Sequence, residues 1–353
     1  MVSKLKVAAL VFLATCLLVG CFGAHQSFRT STPSVTDEYP LSRSLYHPTN
    51  IISANNYLWI TTTNGIFRVS SNGDFQMVWS KTSPDYSGPQ GITYGPQSRF
   101  WITVSALYPG QRWELDRIIS VSPDGGSHEY NVPTYHAGVG AITIGSDKAL
   151  WFIESAANKI GRMTINGSFR EYSIGKLDRK HATLHPLLDL TSITKGPDSA
   201  IWFTEWFPDR IGRIDNTGRL REFQLGRGSG PGDIVAGSDH ALWFTESAGY
   251  VGRLSLSGHI TEFKGSEESS SLSKLTWGPD HNIWFTDPDA RKVMRLTPVG
   301  QVTQFQVPGF YPGAIVAGPD GNIWFTEERA QHTGFTGVWG AVCRLTLQPY
   351  SVK

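Results

Sequence analysis

Cysteine, excess charge of one sign and long hydrophobic runs are all scarce in this sequence. Three cysteines among 353 residues are too few for a disulfide scaffold. With 31 basic and 30 acidic residues the net charge is +1, so no overall basic field would hold nucleic acid. The chain is nonetheless 40% apolar, which excludes a disordered protein. Glycine (37 residues) and tryptophan (12 residues) are frequent, and this composition favours short strands and turns.

The N-terminus has the features of an export signal. Lys4 and Lys6 precede an apolar run from Val7 to Val19, which is shorter than the about 20 residues of a membrane span. We therefore predict a signal peptide over residues 1–20. The run ends in Leu18-Val19-Gly20-Cys21, which resembles a bacterial lipobox and predicts lipidation of Cys21; an ordinary signal is the alternative. Residues 21–36 would form a tether, and the protein would be exported and anchored to a bacterial membrane of the cell envelope by lipid alone.

One unit recurs along the rest of the chain. Its best copy runs Gly196-Pro197-Asp198, Trp202-Phe203-Thr204-Glu205, Ile211-Gly212-Arg213 and Glu222-Phe223. Each unit contains four short strands, A to D, separated by turn residues, which is the signature of a propeller blade. The repeat tryptophan occurs seven times: Trp59, Trp101, Trp151, Trp202, Trp243, Trp284 and Trp324. The sequence therefore predicts an all-β fold, a seven-bladed β-propeller of four-stranded blades over residues 37–350.

The last unit lacks its own D strand. The chain continues only briefly after Arg344-Leu345-Thr346-Leu347, whereas Glu38-Tyr39-Pro40-Leu41 resembles the D strands of other units. We expect this N-terminal strand to complete the last blade and close the ring, which removes its open edges.

Three repeated residue types have structural explanations. The repeat tryptophan is predicted to pack between neighbouring blades. A carboxylate follows Trp-Phe-Thr in most units, and an arginine lies in most C strands; blade two lacks both, with Val104 and Ser120 in their places. This joint loss predicts that the two residues form an ion pair. A ring of metal-binding carboxylates is the alternative.

The long insertions all fall on one side of the disc, which we call the inserted face. In an antiparallel blade the D-to-A and B-to-C loops share a face, and the insertions Ser105 to Asp116, Gly175 to Leu190 and Glu328 to Val342 belong to these loops. Such a face is where repeat proteins usually bind ligands. A satellite cluster of the loops' own aromatics is the alternative explanation. The predicted ligand-binding residues are Tyr108, Arg112, Trp113, His185, Trp206 and Trp339.

The complete blade unit resembles the streptogramin B lyase family, also called virginiamycin B lyases, over about residues 37 to 347, and most specifically in Ala149 to Tyr172 and Ala200 to Phe223. The resemblance implies a seven-bladed propeller. For the lyases of the family it also implies opening of a cyclic depsipeptide lactone by elimination, with magnesium, glutamates that hold the metal, and a histidine base in a Pro-His-X-Ile stretch before strand A.

The positions that match this histidine are Thr49, Gln90, Gly140, Thr191, Gly232, Ser273 and Gly313, none of which is histidine. We therefore expect a lyase-like lipoprotein that binds a small molecule, peptide or protein on the inserted face, monomeric and without a cofactor. The alternative is a divergent metal-dependent lyase, using magnesium, or a lactonase-like hydrolase. Its candidate catalytic residues are His185, His332, Glu327 and Glu328.

Overall fold

The computed structural model describes residues 28–30 (backbone only), 37–41, 47–70, 72–81, 86–106, 115–175, 189–266, 270–307, 311–328 and 340–347. The strands in chain order are β1 (Phe28–Thr30), β2 (Asp37–Pro40), β3 (Pro48–Ala54), β4 (Tyr57–Thr62), β5 (Gly65–Val69), β6 (Phe75–Ser80), β7 (Gly91–Gly95), β8 (Arg99–Val104), β9 (Arg117–Val121), β10 (Ser127–Asn131), β11 (Val139–Ile144), β12 (Leu150–Glu154), β13 (Lys159–Met163), β14 (Phe169–Ser173), β15 (Leu190–Lys195), β16 (Ile201–Glu205), β17 (Arg210–Ile214), β18 (Leu220–Gln224), β19 (Pro231–Ala236), β20 (Ala241–Glu246), β21 (Tyr250–Ser255), β22 (Ile260–Lys264), β23 (Leu275–Trp277), β24 (Ile283–Asp287), β25 (Lys292–Leu296), β26 (Val302–Gln306), β27 (Tyr311–Ala317), β28 (Ile323–Glu328) and β29 (Gly340–Leu345). Two 3-10 turns, Pro96–Ser98 and Ser155–Ala157, are the helical elements of the described residues. No described helix is long and apolar enough to cross a membrane.

These strands form seven antiparallel sheets, one for each predicted blade. The A strands of successive blades contact one another around the ring, so they line its axis. The D strands lie at the periphery. The predicted all-β, seven-bladed propeller is confirmed.

The ring closes as predicted, through the N-terminal strand. β2 pairs antiparallel with β29, with Tyr39 opposite Val342. Arg344 donates to Asp37, and Tyr39 stacks on Trp324 at 5.6 Å. β1, inside the predicted tether, adds a parallel fifth strand to blade six by pairing with β26. The two ends of the propeller are thus held by ordinary blade contacts.

The seven repeat tryptophans are wedges between blades, as predicted. All are fully buried. Trp151 of blade three belongs to one apolar cluster with Ile193, Ile201 and Phe203 of blade four, and Trp59 of blade one lies 4.0 Å from the ring of Phe100 in blade two. Part of the apolar core of each blade is therefore buried only through contact with the neighbouring blade.

The predicted pairing of the repeat glutamate with the strand C arginine is wrong. In the best copy, Arg213 donates instead to Asp198 of the A-to-B turn at 2.6 Å, and Trp202 Nε1 donates to the same carboxylate at 2.9 Å. Four further arginine–aspartate pairs recur at the same place: Arg162–Asp147, Arg253–Asp239, Arg295–Asp280 and Arg344–Asp320. The aspartate of the A-to-B turn therefore connects the turn, the wedge tryptophan and strand C.

Blade two supports the pairing of arginine with the turn aspartate, because it lacks both residues. It has Gln97 at the position of the turn aspartate and Ser120 at that of the arginine. Trp101 Nε1 then has no hydrogen-bond partner in the described part of the chain. The joint loss in blade two was a real signal, but the arginine's partner was assigned to the wrong carboxylate.

The threonine of Trp-Phe-Thr connects blades four, five and six each to the next blade. Thr204 Oγ1 donates to the carbonyl of Gly232 in blade five at 2.7 Å, and Thr245 Oγ1 donates to that of Ser273 in blade six at 3.0 Å. Thr286 does the same to Gly313 at 2.9 Å. Because these carbonyls lie at the start of the A strands, the threonines fix the geometry of the channel mouth.

Candidate functional site

The mouth of the channel on the inserted face is built from β-bulges. In blade four the pairing of β15 with β16 shifts between Leu190 and Ile193, so that two residues oppose one. The same shift occurs in blades one, three, five and seven. Bulges re-aim side chains and often lie beside functional sites. The seven positions that correspond to the expected histidine base lie at these A-strand starts.

A cavity of about 350 Å³ opens at this mouth between blades one, six and seven, and we call it the mouth cavity. Its lining residues are Pro48, Thr49, Ser273, Lys274, Pro288, Tyr311, Pro312, Gly313, Ala314 and Glu328. Three prolines and a half-exposed tyrosine form apolar walls, whereas Lys274 and Glu328 supply charges of opposite sign. This combination of apolar surface and a few polar groups is typical of a small-ligand site.

A second cavity of about 150 Å³, the channel cavity, lies deeper along the axis. The A strand of every blade contributes to its lining. Ile52, Ile92 and Ile142 make one side apolar, whereas Ser192 and Asp233 make the other side polar. Lys274 lines both cavities, so the two spaces adjoin at its side chain.

Asp233 organises the polar side of the channel. Its Oδ1 accepts from Ser192 Oγ at 2.7 Å, and its Oδ2 accepts from the backbone N–H of Leu275 at 3.1 Å. Lys274 Nζ lies 3.4 Å from the same Oδ1, which is long for an ion-pair hydrogen bond. The carboxylate is therefore satisfied largely without the lysine.

Exposed aromatic side chains are concentrated on the inserted face. Tyr135, Trp206, Tyr250 and Tyr311 lie there, whereas Tyr57 lies at an A-to-B turn on the opposite face. Trp206 is 44% exposed and packs closely on Gly230, where a Cβ would lie 2.7 Å from the indole Nε1. Aromatic side chains of this kind are common anchors in binding surfaces.

Most of the predicted site residues fall outside the described residues. Those are Tyr108, Arg112, Trp113, His185, His332 and Trp339, together with the lipidation residue Cys21. Among the described ones, Trp206 is exposed on the inserted face but lines neither cavity, Glu327 is buried, and Glu328 lines the mouth cavity. The predicted set missed Lys274 and Tyr311, although their places at A-strand starts could have indicated them.

The repeat glutamates are buried at the ends of the B strands, beneath the inserted face. Neither carboxylate oxygen of Glu205 has a hydrogen-bond partner among the described residues. Burial, together with the nearby charge of Glu222, raises the pKa of Glu205 to about 8, against the opposing effect of Arg210. Burial likewise raises the pKa of Glu154 to about 7 and that of Glu246 to about 8. At neutral pH Glu205 and Glu246 are therefore largely protonated, whereas Glu154 is about half ionised.

The described residues do not fit a magnesium site. Magnesium prefers oxygen ligands in near-octahedral geometry, usually with one or two carboxylates. No group of three His, Cys, Asp or Glu side chains that could hold a metal occurs in the described ranges. At the mouth cavity Glu328 is the one acidic lining residue, and it shares the space with the cationic Lys274. We therefore derive no chemical step through a metal.

Comparison with known proteins identifies the family. The family model "Virginiamycin B lyase family" matches residues 24–180 and 179–350, which is most of the chain. The chain belongs to the virginiamycin B lyase family.

Individual members of the virginiamycin B lyase family resemble this chain to different extents. A virginiamycin B lyase of Nocardia farcinica (strain IFM 10152) is 26% identical over 168 residues, 47% of this chain. That match spans 54% of the Nocardia protein, about half of its length. Among solved structures, a streptogramin B lyase is 27% identical, with a TM-score of 0.73 over 87% of this chain and 97% of that one.

A second solved structure of the family contains a ligand. It is a catalytically inactive His-to-Ala variant of virginiamycin B lyase from Staphylococcus aureus with quinupristin. Its chain is 39% identical, with a TM-score of 0.62 over 69% of this chain and 79% of that one.

Proposed function

We propose that this member of the virginiamycin B lyase family binds a small peptide-like ligand in the mouth cavity and does not catalyse elimination. The observation that carries the proposal is the combination of a lined cavity with the absence of histidine from the seven positions that match the family's base. Elimination next to a carbonyl needs a positioned base with a pKa near the working pH. The cavity retains the features needed to bind a ligand.

The residues at the base positions have other roles. Thr49 Oγ1 lies 2.8 Å from Thr61 Oγ1, and Thr191 Oγ1 lies 2.7 Å from Thr204 Oγ1. Hydroxyls in such pairs stabilise the blade and have a pKa far above neutrality, and glycine at Gly232 and Gly313 offers no side chain at all. A ligand at this mouth would therefore meet no histidine base at any of these seven positions.

Binding at the mouth cavity is tested with quinupristin and a pair of tyrosine variants. Replacing the exposed Tyr311 with Ala is expected to weaken quinupristin binding about tenfold, because an aromatic wall of the cavity is lost. Tyr57→Ala is the matched control, since both tyrosines are about equally exposed and each has an arginine guanidinium over its ring. Calorimetric titration gives the affinities, and mass spectrometry of the recovered quinupristin shows whether its ring stays closed.

Two results would contradict the proposal. Equal affinity of wild type and Tyr311→Ala would show that quinupristin binds elsewhere or not at all. Ring opening at a steady rate would favour the second candidate, a divergent lyase or lactonase-like hydrolase. Family membership and the position of Glu328 at the cavity support that second candidate. Loss of turnover in His185→Ala or His332→Ala would then identify the base.

Export and lipid anchoring at Cys21 form a separate proposal, supported by the signal-like residues 1–20. In a bacterial host, the wild-type protein is expected in the membrane fraction and to incorporate labelled palmitate. Cys21→Ser is expected to lose the label. Cys343→Ser is the control, because Cys343 is buried in blade seven and not available for acylation. A wild-type protein that takes up no label would contradict the anchor.

A further inference from the structure

Two residues of opposite charge line the mouth cavity from different blades. Lys274, just before β23 in blade six, is the one cationic residue among those that line the described cavities. Glu328, at the end of β28 in blade seven, faces the same space from another blade. The cavity therefore has a positive wall toward the channel and a negative wall at the outer rim.

The ammonium of Lys274 is available to a ligand. Its side chain is 38% exposed, and its contact with Asp233 is long at 3.4 Å. Asp233 keeps its hydrogen bonds from Ser192 and Leu275 when the lysine turns away. Since an ammonium group has three donors, Lys274 can donate to a ligand carboxylate without leaving Asp233 unsatisfied.

The charge balance excludes a simple anion as the best ligand. Asp233 and Glu328 together outnumber Lys274 along the two cavities, so a purely anionic molecule would meet net negative charge. Arg291 lines neither cavity, and its guanidinium lies 5.6 Å from the ring centre of Tyr311. A purely cationic molecule would in turn be repelled by Lys274. A ligand with one charge of each sign satisfies both walls.

The apolar part of the lining indicates what separates those two charges. Pro48, Pro288, Pro312 and Tyr311 form rigid walls that lose little conformational entropy when a ligand packs on them. The volume of about 350 Å³ lies near the lower end of small-ligand pockets. It suits a dipeptide or the end of a longer peptide with apolar side chains.

We infer that the mouth cavity recognises a short linear peptide with free termini, its carboxylate held by Lys274, its ammonium by Glu328 and its apolar side chains by the proline and tyrosine walls. This inference rests on the proposed function and deepens it, because it names the ligand class. A linear zwitterion differs in charge pattern from a cyclic depsipeptide, which has no terminal carboxylate.

Three dipeptide probes test the inference by calorimetric titration: Phe-Phe, its C-terminal amide and its N-acetyl derivative. Wild type is expected to bind Phe-Phe about tenfold more tightly than either derivative. Lys274→Met should weaken Phe-Phe about tenfold and leave the amide unchanged, whereas Glu328→Gln should weaken Phe-Phe about tenfold and leave the N-acetyl form unchanged. Each ligand end is thereby coupled to one residue, as in a double-mutant cycle.

The controls separate recognition from folding. Lys274→Arg keeps the positive charge and is expected to retain most of the affinity for Phe-Phe. Lys195→Met makes the same substitution at the far end of an A strand, where the lysine is exposed on the opposite face, and should change nothing. Thermal unfolding of each variant verifies that the fold is intact.

Equal binding of the three probes to wild type would overturn the inference. If Tyr311→Ala still weakened all three probes, the proposed function would stand and only the zwitterionic ligand class would fall. If no dipeptide bound while quinupristin binding still depended on Tyr311, only the linear-peptide ligand class would fall. If neither quinupristin nor any dipeptide responded to Tyr311→Ala, both proposals would be contradicted.

Discussion

Replacing Asp198 with Ala is expected to lower the free energy of unfolding by about 3 kcal/mol, because it leaves a buried indole N–H and a partly buried guanidinium without their acceptor. Asp198 accepts from Trp202 Nε1, from Arg213 Nε and from the backbone N–H of Ala200. Although burial opposes ionisation, the bonds from Trp202 and Arg213 hold the pKa of Asp198 below its ordinary value. Urea unfolding followed by tryptophan fluorescence measures the loss.

Blade two supplies the matched control for this prediction. Gln97 occupies the turn position there, without an arginine at Ser120 to pair with. Gln97→Ala is therefore expected to change the free energy of unfolding by less than about 0.5 kcal/mol, as for most surface substitutions. Asp198→Asn keeps an acceptor oxygen but loses the charge, so its effect should be intermediate. Equal effects of Asp198→Ala and Gln97→Ala would show that the aspartate is only a turn residue.

The second large effect is a dependence of stability on pH that arises from the buried glutamates. The pKa of Glu205 rises from 4.5 to about 8 on folding. Below pH 4.5 both states are protonated, so the contribution of Glu205 is fully present. Between pH 4.5 and about 8 the unfolded state ionises while the native state stays protonated, so stability falls as the pH rises.

Glu205→Gln removes this titration and is the test of it. When the pH rises from 5 to 8, the free energy of unfolding of wild type should fall by roughly 3 kcal/mol more than that of the variant, since one pKa unit corresponds to about 1.4 kcal/mol. The change between the two pH values is the readout, because any cost of burying the amide is the same at both. Urea unfolding at each pH gives the values.

Glu129→Gln in blade two is the control for the glutamate prediction. Glu129 is a D-strand glutamate paired with Arg117, and its blade has Val104 in place of the buried carboxylate. Glu129→Gln should show no such difference from wild type between pH 5 and pH 8. The lowered pKa values of the turn aspartates, such as Asp198, give stability that is fully present above their unfolded value of 3.8 and is lost only as the pH falls below it, outside the tested range. A Glu205→Gln variant that parallels wild type at both pH values would contradict the raised pKa.

The repeat made the fold predictable, but it did not make the residue partners predictable. The motif Trp202-Phe203-Thr204-Glu205 of blade four lies in a strand, Ile201–Glu205, and the closing strand around Tyr39 was predicted from its likeness to the D strands. The partner of Arg213 was missed because aspartate and glutamate recur in every intact unit, so recurrence alone cannot distinguish them. Which of the two carboxylates binds Arg213 depends on which one lies within hydrogen-bond distance of the arginine. That distance depends on how the A-to-B turn folds over the sheet.

The candidate site likewise has features that the sequence predicted and features that it did not. The inserted face was located from loop lengths, since antiparallel order fixes which loops share a side. Most of the aromatic and histidine residues predicted on its long loops lie outside the described residues and stay predictions. Tyr311 and Lys274 were not in the predicted set: their places at A-strand starts mark them as candidates, but the sequence alone does not show that these two starts line one cavity. Only the ring places blades six, seven and one side by side.

The sequence by itself determined the number of blades, their strand order, the closure of the ring and the face that carries the insertions, because each of these follows from a short repeat with local turns. Tertiary structure decided which carboxylate binds the strand C arginine, which carboxylates such as that of Glu205 are buried without a hydrogen-bond partner among the described residues, and where a cavity opens. The arginine pair depends on how the A-to-B turn folds within a blade, whereas the cavity depends on packing between blades whose residues are more than 30 positions apart in the chain, such as Glu328 of blade seven and Lys274 of blade six. A local pattern cannot encode that proximity.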